Sequence, residues 1–353
     1  MTIYLINIVS ILLFGYLFLY HWSGKDNKKI YCGLVAFQWI LISGLRNWSV
    51  GADTYAYYLQ FEDVKRMSWS KIFANIVDYL FNGLDVKDPG YTLVEKFFQI
   101  FSGDYQVYLV FIALLFTSFM AVWIYRNSSM PEISFLIFSV LFYAFYAVTG
   151  HRQTIATALV VFLGYKYIKE RKLIKFALLS FGAFLIHKSS LVFAPFYFIA
   201  NIPITPLYVV VAAIVIIIVT MLGKQLYGAV AEWMGFGEGA IDYDVGGAET
   251  YATVLTLICL IVLFFYIYYK DRVPYPRHIF NITLLTLMSS LLVFQNQSFM
   301  RVQQNYSLFL MISLPEVVLS FDKKFRLLVY ACAVVVLVLY LVRNNPTYLF
   351  FWQ

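Results

Sequence analysis

Charge is scarce in this chain. Asp, Glu, Lys and Arg make up 13% of 353 residues while 62% are hydrophobic, and no soluble domain of this length could hide that much apolar surface. Cysteine is scarce too. Cys32, Cys259 and Cys332 each fall inside an apolar segment and read as small buried hydrophobes, with neither a disulfide framework nor a metal-ligand spacing. There is no Gly-rich nucleotide loop, no HExxH, no GxSxG and no paired-cysteine motif, and neither an internal repeat nor a low-complexity tract. The first apolar run, Ile3–Tyr20, lacks a basic lead and a small-residue cleavage site, so a retained helix is expected rather than a removable signal. The net charge of +7 does not speak for nucleic acid, because the Lys and Arg gather in short loops.

What the chain does have is apolar runs of about 17–25 residues, which match the thickness of a bilayer. They predict an all-α, polytopic integral membrane protein, a single membrane domain over 1–353 with about 10–11 membrane helices, one of them re-entrant. Spans are expected near 3–20, 30–45, 105–125, 133–149, 152–168, 207–223, 253–269, 279–298, 304–320 and 327–342. Basic loops at Lys25–Lys29, Lys169–Lys175, Lys270–Arg277 and Lys323–Arg326 should face the cytoplasm. The 46–104 loop and the tip between the spans at 133–149 and 152–168 then lie outside.

Parity singles out Phe176–Ala200. Three full crossings between Lys175 and the 270–277 loop would place that basic loop on the wrong side. The run at 176–200 is interrupted by His187-Lys188-Ser189-Ser190, and a lysine at mid-membrane costs about 2.5–3.5 kcal/mol. Two half-helices meeting at that interruption, lining a cavity, would satisfy both constraints. The segment 224–252, acidic and glycine-rich, is then external, as a flexible loop with an amphipathic piece near Leu226–Phe236. The 46–104 loop is long, carries helical patterns at Tyr55–Val64 and Trp69–Leu80, and is of the kind that carries function.

Polar residues collect on the expected outer face. Arg152 opens a helix directly after His151, beside free backbone N–H groups and the positive end of the helix dipole, which suits an anion such as phosphate. An interfacial arginine that snorkels to headgroups would explain its position as well. Arg46 ends the second span, and Asp53-Thr54 precedes a helical pattern. Asp53 reads as a helix cap or as a carboxylate able to act as a base or to orient Arg46. Asp88-Pro89-Gly90-Tyr91 dictates a turn that presents Tyr91 at a helix start, where it could stack on a sugar or sit at headgroup level. Arg301 lies among amides at 295–305, suited to hydroxyls or phosphate. Cations at 46, 152 and 301, with His187 in reach if its helix breaks, imply an anionic, lipid-linked ligand at the membrane–water boundary.

Four pieces resemble the EpsG family, grouped with Wzy-like polysaccharide polymerases: Gly44-Leu45-Arg46 with Gly51-Ala52-Asp53-Thr54 and Tyr57; Asp88-Pro89-Gly90-Tyr91; Arg152-Gln153-Thr154-Ile155-Ala156 with the basic 169–175 stretch; and Phe184-Leu185-Ile186-His187-Lys188-Ser189-Ser190. They cover about residues 40–200. The turn motif usually begins with Glu where this chain has Asp88, the glycine–aspartate motif often has Thr where it has Ala52, and the C-terminal half matches loosely. The resemblance implies a glycosyltransferase-type polymerase at the outer face of a bacterial cytoplasmic membrane, joining polyprenyl-diphosphate-linked oligosaccharide units without metal, nucleotide sugar or other cofactor. Its partners would be that lipid-linked glycan, membrane lipids and other polysaccharide-assembly proteins. His187, Asp53 and Arg152 would be catalytic, with His187 or Asp53 as base, and Arg46, Tyr57, Tyr91, Gln153 and Arg301 would bind substrate. A flippase for lipid-linked sugars, a membrane acyltransferase and a non-catalytic assembly partner are the competing readings.

Overall fold

The structure, a computed structural model, describes all residues except 23, 85, 235–246 and 345–346; the side chains of 230–234 are also left aside. It is 80% helical, and among the described residues the one β-type pairing is a bridge between Arg46 and Phe350, so the fold is all-α. The chain divides into two compact units, Met1–Leu191 with Ala331–Gln353, and Val192–Tyr330.

In the first unit, α1 (Thr2–Gly15) runs on through a π-wound turn at Tyr16–His21, and α2 (Asn27–Gly44) follows. The 46–104 segment holds α3 (Thr54–Arg66), α4 (Trp69–Phe81) and α5 (Pro89–Phe98), so both helical patterns expected there form. Ser68 caps α4 by accepting from the Lys71 amide at 3.2 Å, as serine at that position favours. Next is α6 (Tyr105–Asn127), capped by Asp104, which accepts from the Gln106 amide at 2.6 Å. It packs along α2, where a Cβ on Gly44 would lie 3.0 Å from the Val110 Cα.

The helical hairpin expected around residue 150 is present. Its first arm is α7 (Pro131–Ile137), continued by π-wound turns at Phe138–Phe142 and Ala144–Thr149. Gly150 makes the tip. The second arm is α8 (His151–Thr157), a π-wound turn at Ala158–Leu163, and α9 (Gly164–Lys169). The helix α10 (Leu173–Ile186) then stops at His187, which is extended at φ −160° and ψ 119°, before a 3₁₀ turn at Lys188–Phe193. The interruption expected at His187-Lys188-Ser189-Ser190 is therefore a real break. Lys188 lies with its ammonium 5.3 Å from the Tyr79 ring centre, so its charge meets an aromatic face.

The second unit comprises α11 (Phe196–Ile199), α12 (Pro206–Met221), α13 (Gly223–Met234), α14 (Ala248–Phe264), α15 (Tyr266–Tyr269), α16 (Pro276–Val293), α17 (Met300–Ser307) and α18 (Leu310–Ser320). Tyr227, Ala252, Leu292, Val293 and Phe299 form an apolar cluster between α13, α14 and α16. Asn281 holds the end of α11 by donating to the carbonyls of Ile199 and Ala200. Arg272, in one of the basic loops, donates to the carbonyls of Glu316 and Leu319 and to the Ser320 hydroxyl, so its charge caps the negative end of α18. The amphipathic piece expected near Leu226–Phe236 is helical to Met234; the acidic residues Glu238, Asp242 and Asp244 lie outside the described residues. The last helix, α19 (Lys323–Asn344), begins in this unit and ends in the first.

The protein is a polytopic membrane protein. By length and composition, Thr2–His21, Tyr105–Asn127 and Lys323–Asn344 are each apolar enough to cross a bilayer, and Pro206–Met221 with Gly223–Ala229, bent by 71°, makes a fourth if counted as one span. Among the described residues that is fewer continuous spans than the sequence predicts, and breaks such as those at His187 and Phe265 leave shorter apolar helices. Leu207, Val210, Ile214, Ile217 and Met221 are all exposed at spacings of three and four along α12, a stripe suited to lipid and not to water.

Candidate active site

The site grows from an aspartate on a left-handed turn. Asp88 has φ 48° and ψ 58°, Pro89 fixes the first turn of α5, and Gly90 follows. A Cβ on Gly90 would sit 2.6 Å from the backbone carbon of Leu185, so only glycine lets α5 lie this close to α10. That approach brings Asp88 to the broken end of α10. Its Oδ2 accepts from His187 Nδ1 at 3.1 Å and pairs with Arg152 Nη1 at 2.9 Å. One carboxylate oxygen thus joins the hairpin tip to the helix break, residues separated in sequence by 35 positions from each other and by more than 60 from Asp88.

Asp88 is 5% exposed. Burial pushes its carboxyl up, but the hydrogen bond and charge of His187, the charge of Arg152 and the Lys188 amide outweigh burial and hold it below the ordinary value. The carboxylate is therefore charged at neutral pH. It accepts the proton on Nδ1, which leaves Nε2 as the ring nitrogen able to exchange a proton with a ligand.

Tyr57 forms the next layer. Its hydroxyl accepts from Arg152 Nε at 3.4 Å and its ring lies 5.2 Å from the guanidinium carbon. The same phenol stacks on His151, with centres 4.4 Å apart and planes at 19°. His151 Nε2 in turn lies 2.7 Å from Arg46 Nη2. A guanidinium has only donors, so this nitrogen accepts and the His151 ring is neutral with its proton on Nδ1. Arg46 is 2% exposed; it also donates to the carbonyls of Ser43 and Val148, the ends of α2 and of the first hairpin arm. Arg46 thus clamps two helix ends and orients His151, with its guanidinium turned onto the protein. Tyr91 is buried against Tyr57, with ring centres 5.7 Å apart. Glu95, fully buried one turn along α5, accepts from Gln60 at 3.2 Å. Burial pushes its carboxyl up to about 8, against the opposing effect of the nearby Tyr91 hydroxyl, the Gln60 hydrogen bond and the charge of Arg152.

The structure therefore brings Arg152, His187, Tyr57, Tyr91 and Arg46 into one chain of contacts in the first unit. Gln153 is buried beside Arg152 on α8. Asp53 is exposed and stands at the cap position of α3 without a side-chain capping bond. Arg301 is exposed on α17, in the second unit. Sequence reading gave no role to Asp88, His151 or Glu95. The turn formed by Pro89-Gly90 sufficed to explain Asp88, and the signal that could have promoted it was its acidic place in the same motif as Tyr91.

A family model, described as the EpsG family, matches residues 29–352. The match reaches well past the 40–200 region that carries the motifs, into the second unit. No curated protein and no solved structure matches the chain.

Proposed function

This chain belongs to the EpsG family, a membership that suggests a polysaccharide polymerase-type role, and on that premise we propose that it is a glycosyltransferase joining polyprenyl-diphosphate-linked oligosaccharide units at the outer face of a bacterial cytoplasmic membrane. The observation that carries the reading is the Asp88 carboxylate shared by Arg152 and His187. It holds a fixed cation and an oriented imidazole side by side, which are the two groups that displacement of a diphosphate by a hydroxyl requires.

In this mechanism the acceptor sugar hydroxyl loses its proton to His187 Nε2 as its oxygen bonds to the anomeric carbon of the donor glycan. The bond from that carbon to the diphosphate oxygen breaks, and the electron pair leaves with the polyprenyl diphosphate. Arg152 neutralises the growing charge on that oxygen through guanidinium N–H groups other than the one paired with Asp88. Asp88 keeps His187 in the right tautomer and offsets the positive charge of the imidazolium that forms. Tyr57 fixes the plane of Arg152, and Arg46 with His151 backs Tyr57. Between the two bases open at the sequence level, the exposed position of Asp53 and the aspartate partner of His187 favour His187.

The test is reconstitution of the full chain in lipid with a defined polyprenyl-diphosphate-linked repeat unit, with products resolved by length. Wild type should give a ladder, and His187→Gln and Arg152→Ala should each lose it by at least 100-fold in rate, the general size of such contributions. Movement of the donor between leaflets without any ladder would overturn the proposal in favour of a flippase.

A further inference from the structure

Beside this site, in the same unit, lies an open cleft of about 580 Å³, a volume in the ~300–1,000 Å³ range of small-ligand sites. Its walls include Trp48, Tyr58, Tyr105 and Phe351, with the acidic residues Glu62 and Asp104, the latter also capping α6, among them. The turn that presents Trp48 is firmly built. The Asn47 side chain accepts from the Ser49 amide at 2.9 Å, the Asn47 carbonyl accepts from Val50 at 3.0 Å, and the Asn47 amide donates to Leu349 in the C-terminal tail at 2.9 Å. Trp48 nonetheless remains 46% exposed, lying 6.0 Å from Tyr58 with planes at 23°. Tyr58 meets Tyr105 edge-on at 5.4 Å, and the Tyr105 ring is 6.4 Å from that of His151. Two side chains, Tyr105 and His151, therefore link the cleft to the tyrosine that holds Arg152.

Aromatic faces beside carboxylates are the chemistry that recognises a sugar. The apolar face of a pyranose stacks on an indole or phenol, and its hydroxyls donate to carboxylate oxygens. A lipid tail would find the carboxylates costly to desolvate. A phosphate or uronate would meet like charge from Asp104, while Glu62 holds Lys65 in an ion pair and so keeps that cation from an anionic ligand. We propose that the Trp48–Tyr105 cleft binds the glycan part of the lipid-linked substrate and selects neutral or amino sugars over acidic ones. The identity of this ligand as the substrate's glycan rests on the polymerase reading; the affinity of the cleft for neutral saccharides does not.

The experiment uses the full chain in nanodiscs on an array of lipid-free bacterial oligosaccharides, neutral, amino and acidic. Wild type should retain neutral or amino sugars over acidic ones by at least 10-fold. Trp48→Ala should abolish that retention, while Phe97→Ala, an exposed aromatic outside the cleft, should leave it. Glu62→Gln should narrow the margin against acidic sugars. Absence of binding, a preference for acidic sugars, or binding indifferent to Trp48→Ala would each overturn the cleft. A product ladder accompanied by any of these would sink the cleft and keep the polymerase. Retention lost in Trp48→Ala without a ladder would keep the cleft and sink the polymerase.

Discussion

At the scale of single residues, the site is a set of charges whose partners fix their roles. Asp88 is the shared one, so Asp88→Asn should cost more than the loss of one hydrogen bond. It leaves Arg152 without its counter-charge and His187 without its tautomer, and polymerisation should fall by 100-fold or more while Asp88→Glu retains part of it, as a product ladder would show. Glu95 makes the pH prediction. Its folded carboxyl titrates near 8 against 4.5 unperturbed, so the folded state holds a proton that the unfolded chain has released. Stability from that protonation is complete below about pH 4.5 and is lost as pH rises through 8, at no more than about 1.4 kcal/mol per pH unit. Thermal unfolding in detergent should show the midpoint falling between pH 5 and 8, and Glu95→Gln should flatten that slope. Arg152 and His187 were legible because a charge between apolar runs demands an explanation. Asp88 was not, because its chemistry depends on a contact with residues more than 60 positions away. The burial of Arg46 was likewise hidden, since a cation at a helix end looks the same in sequence whether it meets solvent or two carbonyl ends.

At the scale of elements, the decisive contact is α5 against α10. Gly90→Ala places a methyl 2.6 Å from the Leu185 backbone, which must push the two helices apart and draw Asp88 away from His187. Activity should fall by at least 10-fold, with a destabilisation of about 1–3 kcal/mol, the usual cost of overpacking. Gly182, on α10 itself, is the control. Nothing lies within 4 Å of a Cβ there, so Gly182→Ala should stabilise the helix by up to about 1 kcal/mol and leave the ladder intact. Unfolding midpoints and initial rates measured on both variants separate packing from helix propensity. The helix break at His187 was readable in advance, because a lysine and two serines in mid-run leave an unbroken apolar helix with a charge facing lipid. The π-wound turns in the hairpin arms were not, since Phe138–Phe142 and Ala158–Leu163 carry the same apolar residues as ordinary helix.

At the scale of the whole molecule, the mechanism needs the Asp88 site to open on the side where lipid-linked glycans are joined. The positive-inside rule predicts Lys172 in the cytoplasm and the turn at Ser49 outside. Both residues are exposed, and of the native cysteines only Cys332 is, Cys32 and Cys259 being buried. On a Cys332→Ser background, a membrane-impermeant maleimide should label Ser49→Cys in cells whose cytoplasmic membrane is intact, and should reach Lys172→Cys only after that membrane is permeabilised. The reverse pattern would place Trp48, Arg152 and His187 on the cytoplasmic side. There the supply of nucleotide-activated sugars would make a diphosphate-lipid donor unnecessary, and the polymerase reading would lose its topological support even if the geometry of Asp88 stood unchanged. Labelling of both sites from outside would instead mean that 105–127 and the two hairpin arms do not cross in the number the basic loops require. The shorter, broken helices would then lie within the membrane without spanning it, and the sidedness of the site would have to be mapped from the 46–104 loop alone.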